Sequence, residues 1–124
     1  MDVLIASSFK IVEMNWNRLE SIEELNQAID SSEACPVLLF KHSTRCGTSS
    51  MALKQLERNW TFDDGELQPY FLDLLKFRPI SNEIANRLRV PHESPQAIVI
   101  SDRKVIYSAS HYSIDLEQWK KTMR

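Results

Sequence analysis

The segment Pro36-Val37-Leu38-Leu39-Phe40-Lys41-His42-Ser43-Thr44-Arg45-Cys46-Gly47 decides the reading of this chain. Val37 to Phe40 are apolar without alternation, the pattern of a central strand covered on both faces. Pro36 has no N–H to give a ladder and suits the strand's entry. A polar loop follows His42. After it Leu53, Leu56 and Trp60 recur along one face, which predicts a helix from about Cys46 to Asn59. Cys46 therefore stands where a strand passes into a helix.

Upstream, Ser21 and Glu24 form a capping box: Ser21 accepts from the Glu24 N–H, and the Glu24 side chain reaches back to the Ser21 N–H. Ile22, Leu25 and Ile29 then give that helix its inward stripe, and Asn15 to Leu19 before it reads as an edge strand. Downstream, Asp63-Asp64-Gly65 is a turn signal and Tyr70 to Leu75 a second buried strand. Pro79 and Ser81 mark the start of a helix with Ile80, Ile84 and Leu88 inward. Ala97–Ile100 and Lys104–Tyr107 flank Asp102-Arg103 as a β-hairpin whose turn lacks the favoured Asn-Gly or Asp-Gly. A last helix, with Ser113 as its N-cap, buries Leu116, Trp119 and Met123. The order β-α-β-α-β-α-β-β-α is that of an α/β fold with a mixed central sheet flanked by helices on both faces.

The 124 residues suit one domain, expected over 14–124, with 1–13 as a poorly ordered leader. The 43% hydrophobic and 26% charged residues exclude collagen-like and disordered chains. A net charge of −2 lacks the basic footprint of a nucleic-acid binder, and no apolar run approaches the roughly 20 residues that span a bilayer. Neither nucleic acid nor membrane is expected as a partner. Val3-Leu4-Ile5-Ala6 is too short for a signal-peptide core, and Asp2 sits where positive charge belongs, so a cytoplasmic location is expected. There a cysteine is more often free, metal-bound or catalytic than disulfide-bonded.

The chain holds two cysteines. Cys46, in the first turn of a helix, faces unpaired N–H groups and the positive end of the helix dipole, which favour thiolate over thiol. Arg45, Lys41 and His42 are candidate sources of further positive charge, while Gly47 and Thr48 leave room for a disulfide to approach. The plain alternative makes Cys46 a small residue near a helix start. Cys35 lies at the other end of the strand, roughly 20 Å away at about 3.3 Å per residue, whereas a disulfide needs Cα atoms within about 7 Å. It reads as a structural residue. There is no C-x-x-C and the three histidines are scattered, so no metal site is expected. Ser49 has two open readings: a hydroxyl bonded to the Cys46 sulfur, or a polar residue in a first helical turn. His92 reads as a loop histidine bonded to nearby backbone, His111 and Tyr112 as a turn, and the tryptophans as core and partial surface cover.

Cys46 with Ser49 after Phe40-Lys41-His42-Ser43-Thr44, and then His92-Glu93-Ser94-Pro95-Gln96, the hairpin, Ser110-His111 and Ile114, together resemble the monothiol bacilliredoxin-like proteins (the YtxJ family) over about residues 14–124. The resemblance implies a thioredoxin-like fold with Cys46 as the attacking cysteine. Ser94-Pro95 would be a cis peptide opposite it, the backbone before the proline offering hydrogen bonds to substrate. It implies no tightly bound cofactor, S-thiolated proteins as partners, and bacillithiol, a low-molecular-weight thiol, as co-substrate. Ser49 would stand where dithiol relatives carry a resolving cysteine. The family's usual Thr-Cys-Pro-Ile-Ser reads Arg45-Cys46-Gly47-Thr48-Ser49 here. That departure sustains an alternative, a thioredoxin-like partner-binding or stress-response module without turnover.

Overall fold

The computed structural model describes residues 14–63 and 65–123. The expected leader at 1–13, Asp64 of the turn signal and the Met123 side chain lie outside the described residues. Among the described residues five strands form one sheet: β1 (Asn17–Arg18), β2 (Val37–His42), β3 (Gln68–Asp73), β4 (Gln96–Ser101) and β5 (Lys104–Ser110). Four α-helices accompany them: α1 (Ile22–Ser31), α2 (Gly47–Asn59), α3 (Arg78–Leu88) and α4 (Leu116–Met123), with a 3₁₀ turn at His111–Ser113. The strand order is β1-β3-β2-β4-β5. β3 runs parallel to β1 and β2, while β4 is antiparallel to β2 and β5.

Each residue of β2 is buried, and the strand's period of two divides the core. Val37 and Leu39 join Leu25, Ile29, Ile80, Ile84 and Ile98 beneath α1 and α3. Leu38 and Phe40 join Leu56, Trp60, Val99 and Trp119 beneath α2 and α4. Helices thus cover both faces, as the unbroken apolar run requires.

Local chemistry shifts several boundaries. Ser21 caps α1 by accepting from the Glu24 N–H at 3.0 Å, but the Glu24 carboxylate takes the Glu20 N–H at 2.8 Å rather than that of Ser21. Ile22, expected inward, is exposed at the helix's outer end, and Leu25, Ala28 and Ile29 carry the buried stripe. β3 begins at Gln68, two residues before the expected start. The Gln68 N–H bonds the Pro36 carbonyl on the β2 side, so Pro69 turns its missing N–H toward β1, whose pairing begins only opposite Tyr70. Its carbonyl on that side accepts from Asn17 Nδ2. The hairpin turn places both Asp102 and Arg103 at positive φ, the mark of a type I′ turn. Ser32 holds it: its carbonyl takes the Asp102 N–H and its hydroxyl the Arg103 N–H, each at 2.8 Å. Ser113 belongs to the 3₁₀ turn, and Asp115 takes over the capping of α4, accepting from the Glu117 N–H at 2.9 Å. No described helix is long and apolar enough to cross a membrane.

Candidate active site

The sheet register brings three loops to one edge. Lys41 pairs with Gln96 across β2 and β4, and Gln96 with Ser110 across β4 and β5. The chain leaving β2 toward Cys46, the chain entering β4 through Ser94-Pro95, and the chain leaving β5 at Ser110-His111 therefore meet there. The Ser94–Pro95 bond is cis, and the Pro95 carbonyl accepts from the His111 N–H at 3.1 Å. Cys35 precedes β2 at the opposite edge. Its sulfur lies 3.3 Å from the Gly65 carbonyl, and burial pushes its thiol pKa up.

Cys46 is the N-cap of α2, with extended backbone at φ −110° and ψ 118°, and its side chain makes no cap hydrogen bond. Its N–H donates to the Ser43 carbonyl at 3.2 Å, and its own carbonyl accepts from the Ser50 N–H. The thiol is free and partly exposed, between exposed Arg45 and Gly47. A Cβ added at Gly47 would meet nothing within 4 Å.

Ser49 is fully buried and its hydroxyl is occupied. It accepts from the Ser43 N–H at 3.0 Å and lies 2.8 Å from His42 Nδ1. Neither reading of Ser49 from sequence included this role, a clasp between the loop, the end of β2 and the first turn of α2. His42 packs against Phe40 and Phe71. Burial lowers its pKa, against the opposing pull of Asp73, the Ser49 bond and Glu57.

Lys41 points to the other face of the sheet. It is fully buried, and its ammonium donates to the Ser81 carbonyl at 3.2 Å and to His92 Nδ1 at 3.3 Å. The Ser81 hydroxyl reaches the same ring nitrogen at 3.2 Å. Burial brings Lys41 down to about 8. His92 is also lowered, by burial and by the charges of Lys41 and Arg78, against Glu93. Its partners are thus a lysine and a serine from two other elements instead of the neighbouring backbone that the sequence suggested. A chain that can be read as strand–cysteine–helix, with a cis-proline entering the adjacent antiparallel strand, invites comparison with redox proteins.

The sequence matches the family Monothiol bacilliredoxin BrxC over residues 17–119. This chain belongs to the monothiol bacilliredoxin family. Among solved structures it is similar to a chain of thioredoxin fold described as a proposed oxidoreductase, at 27% identity and a TM-score of 0.75, over 86% of this chain and 92% of that one. It also resembles in fold the thioredoxin of Malassezia sympodialis, at 14% identity and a TM-score of 0.68, covering 93% of each chain. Fasciola hepatica thioredoxin follows at 15% identity and 0.65, over 86% of this chain and 95% of that one. The bacilliredoxin assignment places the chain among thioredoxin-like proteins with a thiol oxidoreductase-like role.

In this bacilliredoxin-family chain, α2 also borders a cavity of about 540 Å³ facing the His111–Leu116 segment. Thr48, two residues beyond Cys46, lines it, together with Met51, Gln55 and Tyr112. Met51 and Tyr112 are 56% and 84% exposed. From sequence Tyr112 reads only as part of a turn, because nothing local indicates that α2 faces it.

Proposed function

We propose that this protein is a monothiol oxidoreductase that removes a low-molecular-weight thiol, bacillithiol, from S-thiolated proteins through Cys46. The observation that carries the reading is a free, partly exposed Cys46 at the N-cap of α2, at the same sheet edge as Ser94-Pro95, with the second cysteine at the opposite edge. Cys46 stands at the positive end of the α2 dipole. Arg45 adds positive charge at the entrance, and the backbone before Pro95 offers hydrogen bonds to the bound disulfide.

The Cys46 thiolate attacks the small-thiol sulfur of a protein mixed disulfide. A Cys46–small-thiol disulfide forms, the original S–S bond breaks, and the target protein leaves as a thiolate that takes a proton from water. A second molecule of small thiol, the reductant, then attacks the adduct. It restores the Cys46 thiolate and departs as the symmetric small-thiol disulfide. Cys35 takes no part. A second reading, a partner-binding module without turnover, draws on Arg45-Cys46-Gly47 in place of the family's segment and on exposed Met51 and Tyr112 beside α2.

Intact-mass measurement after exposure to oxidised bacillithiol tests the proposal in wild type, Cys46→Ser and Cys35→Ser. One small-thiol adduct is expected in wild type and Cys35→Ser, none in Cys46→Ser, with the adduct released by added reduced thiol. An adduct that persists in Cys46→Ser and vanishes in Cys35→Ser assigns the chemistry to Cys35 and overturns the proposal. An adduct on Cys46 that free thiol does not release favours the binding module.

A further inference from the structure

Lys41 is a buried cation without a carboxylate in ion-pair contact among the described residues. Its side chain is fully enclosed, its two acceptors are the neutral Ser81 carbonyl and the neutral ring nitrogen of His92, and none of the described residues forms an ion pair with it. An ammonium taken out of water without a counter-charge is strongly unfavourable. A chain that keeps one there leaves its field available to whatever stands next to it.

What stands next to it is His92. The imidazole accepts at Nδ1 from the Lys41 ammonium, with the Ser81 hydroxyl at the same nitrogen, which fixes its remaining proton on Nε2. His92 is exposed, so the inner ring edge is tied to Lys41 while an N–H donor is left for a ligand. Arg78 adds a second positive charge near the ring and Glu93 a single opposing one. His92 comes two residues before the cis Ser94–Pro95 bond, on the segment that enters β4 at the edge shared with Cys46. The Ser94 hydroxyl, buried without a described partner, stands in the same segment.

We propose that His92, backed by Lys41 and Arg78, is a carboxylate-recognition subsite for the small thiol carried in the mixed disulfide. The ligand carboxylate accepts from His92 Nε2–H and lies in the field of the two cations. Lys41 never touches it and acts through the ring, as a positioning residue. The inference rests on the thiol-exchange reading for the origin of the ligand, while the subsite itself is a binding property that can be measured without turnover.

Two measurements separate them. In full-length Cys46→Ser protein, the ¹⁵N resonances of the His92 ring are followed during titration with S-methylglutathione and, separately, with its dimethyl ester. Shifts with the acid and not with the diester, weakened about tenfold by Lys41→Met, are expected, the size of a unit charge acting across the ring at a protein's effective dielectric. Equal shifts with both probes, or none with either, overturn the subsite whether or not the protein turns over. In turnover assays, Lys41→Met and His92→Phe are expected to raise KM for a glutathione mixed disulfide about tenfold more than for a hydroxyethyl mixed disulfide, which has no carboxylate. An equal rise for both makes Lys41 structural and ends the proposal. Absence of turnover in wild type on both substrates and on a bacillithiol mixed disulfide ends the thiol-exchange reading and leaves the resonance titration to decide the subsite. Because His92 is exposed, His92→Phe keeps the test open should Lys41→Met fail to fold.

Discussion

The Ser49 hydroxyl lies 2.8 Å from Nδ1 of His42, joining the first turn of the Cys46 helix to the last residue of the central strand. The same oxygen takes the Ser43 N–H, so one buried atom fixes both ends of the loop that carries Cys46. Ser49→Ala leaves that amide and the imidazole without their partner in a buried site. A loss of about 1–3 kcal/mol in urea unfolding is expected. A change below about 0.5 kcal/mol would mean that the loop does not depend on this oxygen.

Lys41 makes stability depend on alkaline pH. Its folded pKa of about 8 lies below the ordinary lysine value of 10.5, because burial penalises the ammonium. Between those values the unfolded chain holds a proton that the folded chain has released. Stability therefore rises with pH across that window and is lower when Lys41 is charged. Urea midpoints measured from pH 7.5 to 10 should rise in wild type relative to Lys41→Met, which has no such proton. Parallel curves for the two proteins would show that the lysine is solvated rather than enclosed.

The central strand, the cysteine at its exit and the helix behind it were legible because burial on both faces and a 3.6-residue stripe are local signals. What was not legible was long-range. Lys41 and His42 are neighbours in sequence and both looked like sources of charge for the thiol. The strand's alternation sends them to opposite faces, and only the fold delivers His92 to one and Ser49 to the other. His92 reaches Lys41 across 51 positions, too far for any motif to register. Ser113 looked like a cap because it precedes the last apolar stripe. A 3₁₀ turn, which has no apolar period to announce it, passes the task to Asp115.

The hairpin turn carries the same lesson and a prediction. Asp102-Arg103 lacks the glycine that two positive φ values favour, and the compensation comes from Ser32, 71 positions from Arg103. The buried Ser32 hydroxyl also donates to the Ile29 carbonyl. Ser32→Ala leaves the Arg103 N–H without its acceptor and should cost about 1–3 kcal/mol. Arg103 also pairs with Asp30, but this exposed ion pair should matter little, with Asp30→Asn costing less than Ser32→Ala. Chemical denaturation of both variants ranks them, and a larger loss in Asp30→Asn would show that charge holds the turn.

Gly47 occupies the first position of α2, where the family's usual segment has proline, and the backbone here is already suited to one. Gly47 is not at positive φ, and an added Cβ meets nothing within 4 Å. Cys46 before it, at φ −110° and ψ 118°, has the extended conformation that a following proline imposes. The amide that proline would remove has no intrahelical partner at a helix's first residue. Gly47→Pro should therefore stabilise the fold by about 0.4–1 kcal/mol, chiefly by reducing the freedom of the unfolded chain. The urea midpoint should rise at unchanged slope. Destabilisation would mean that the Gly47 N–H has a partner at the Cys46 site, and a fall in the rate of Cys46 adduct formation in the same variant would identify that partner as the sulfur.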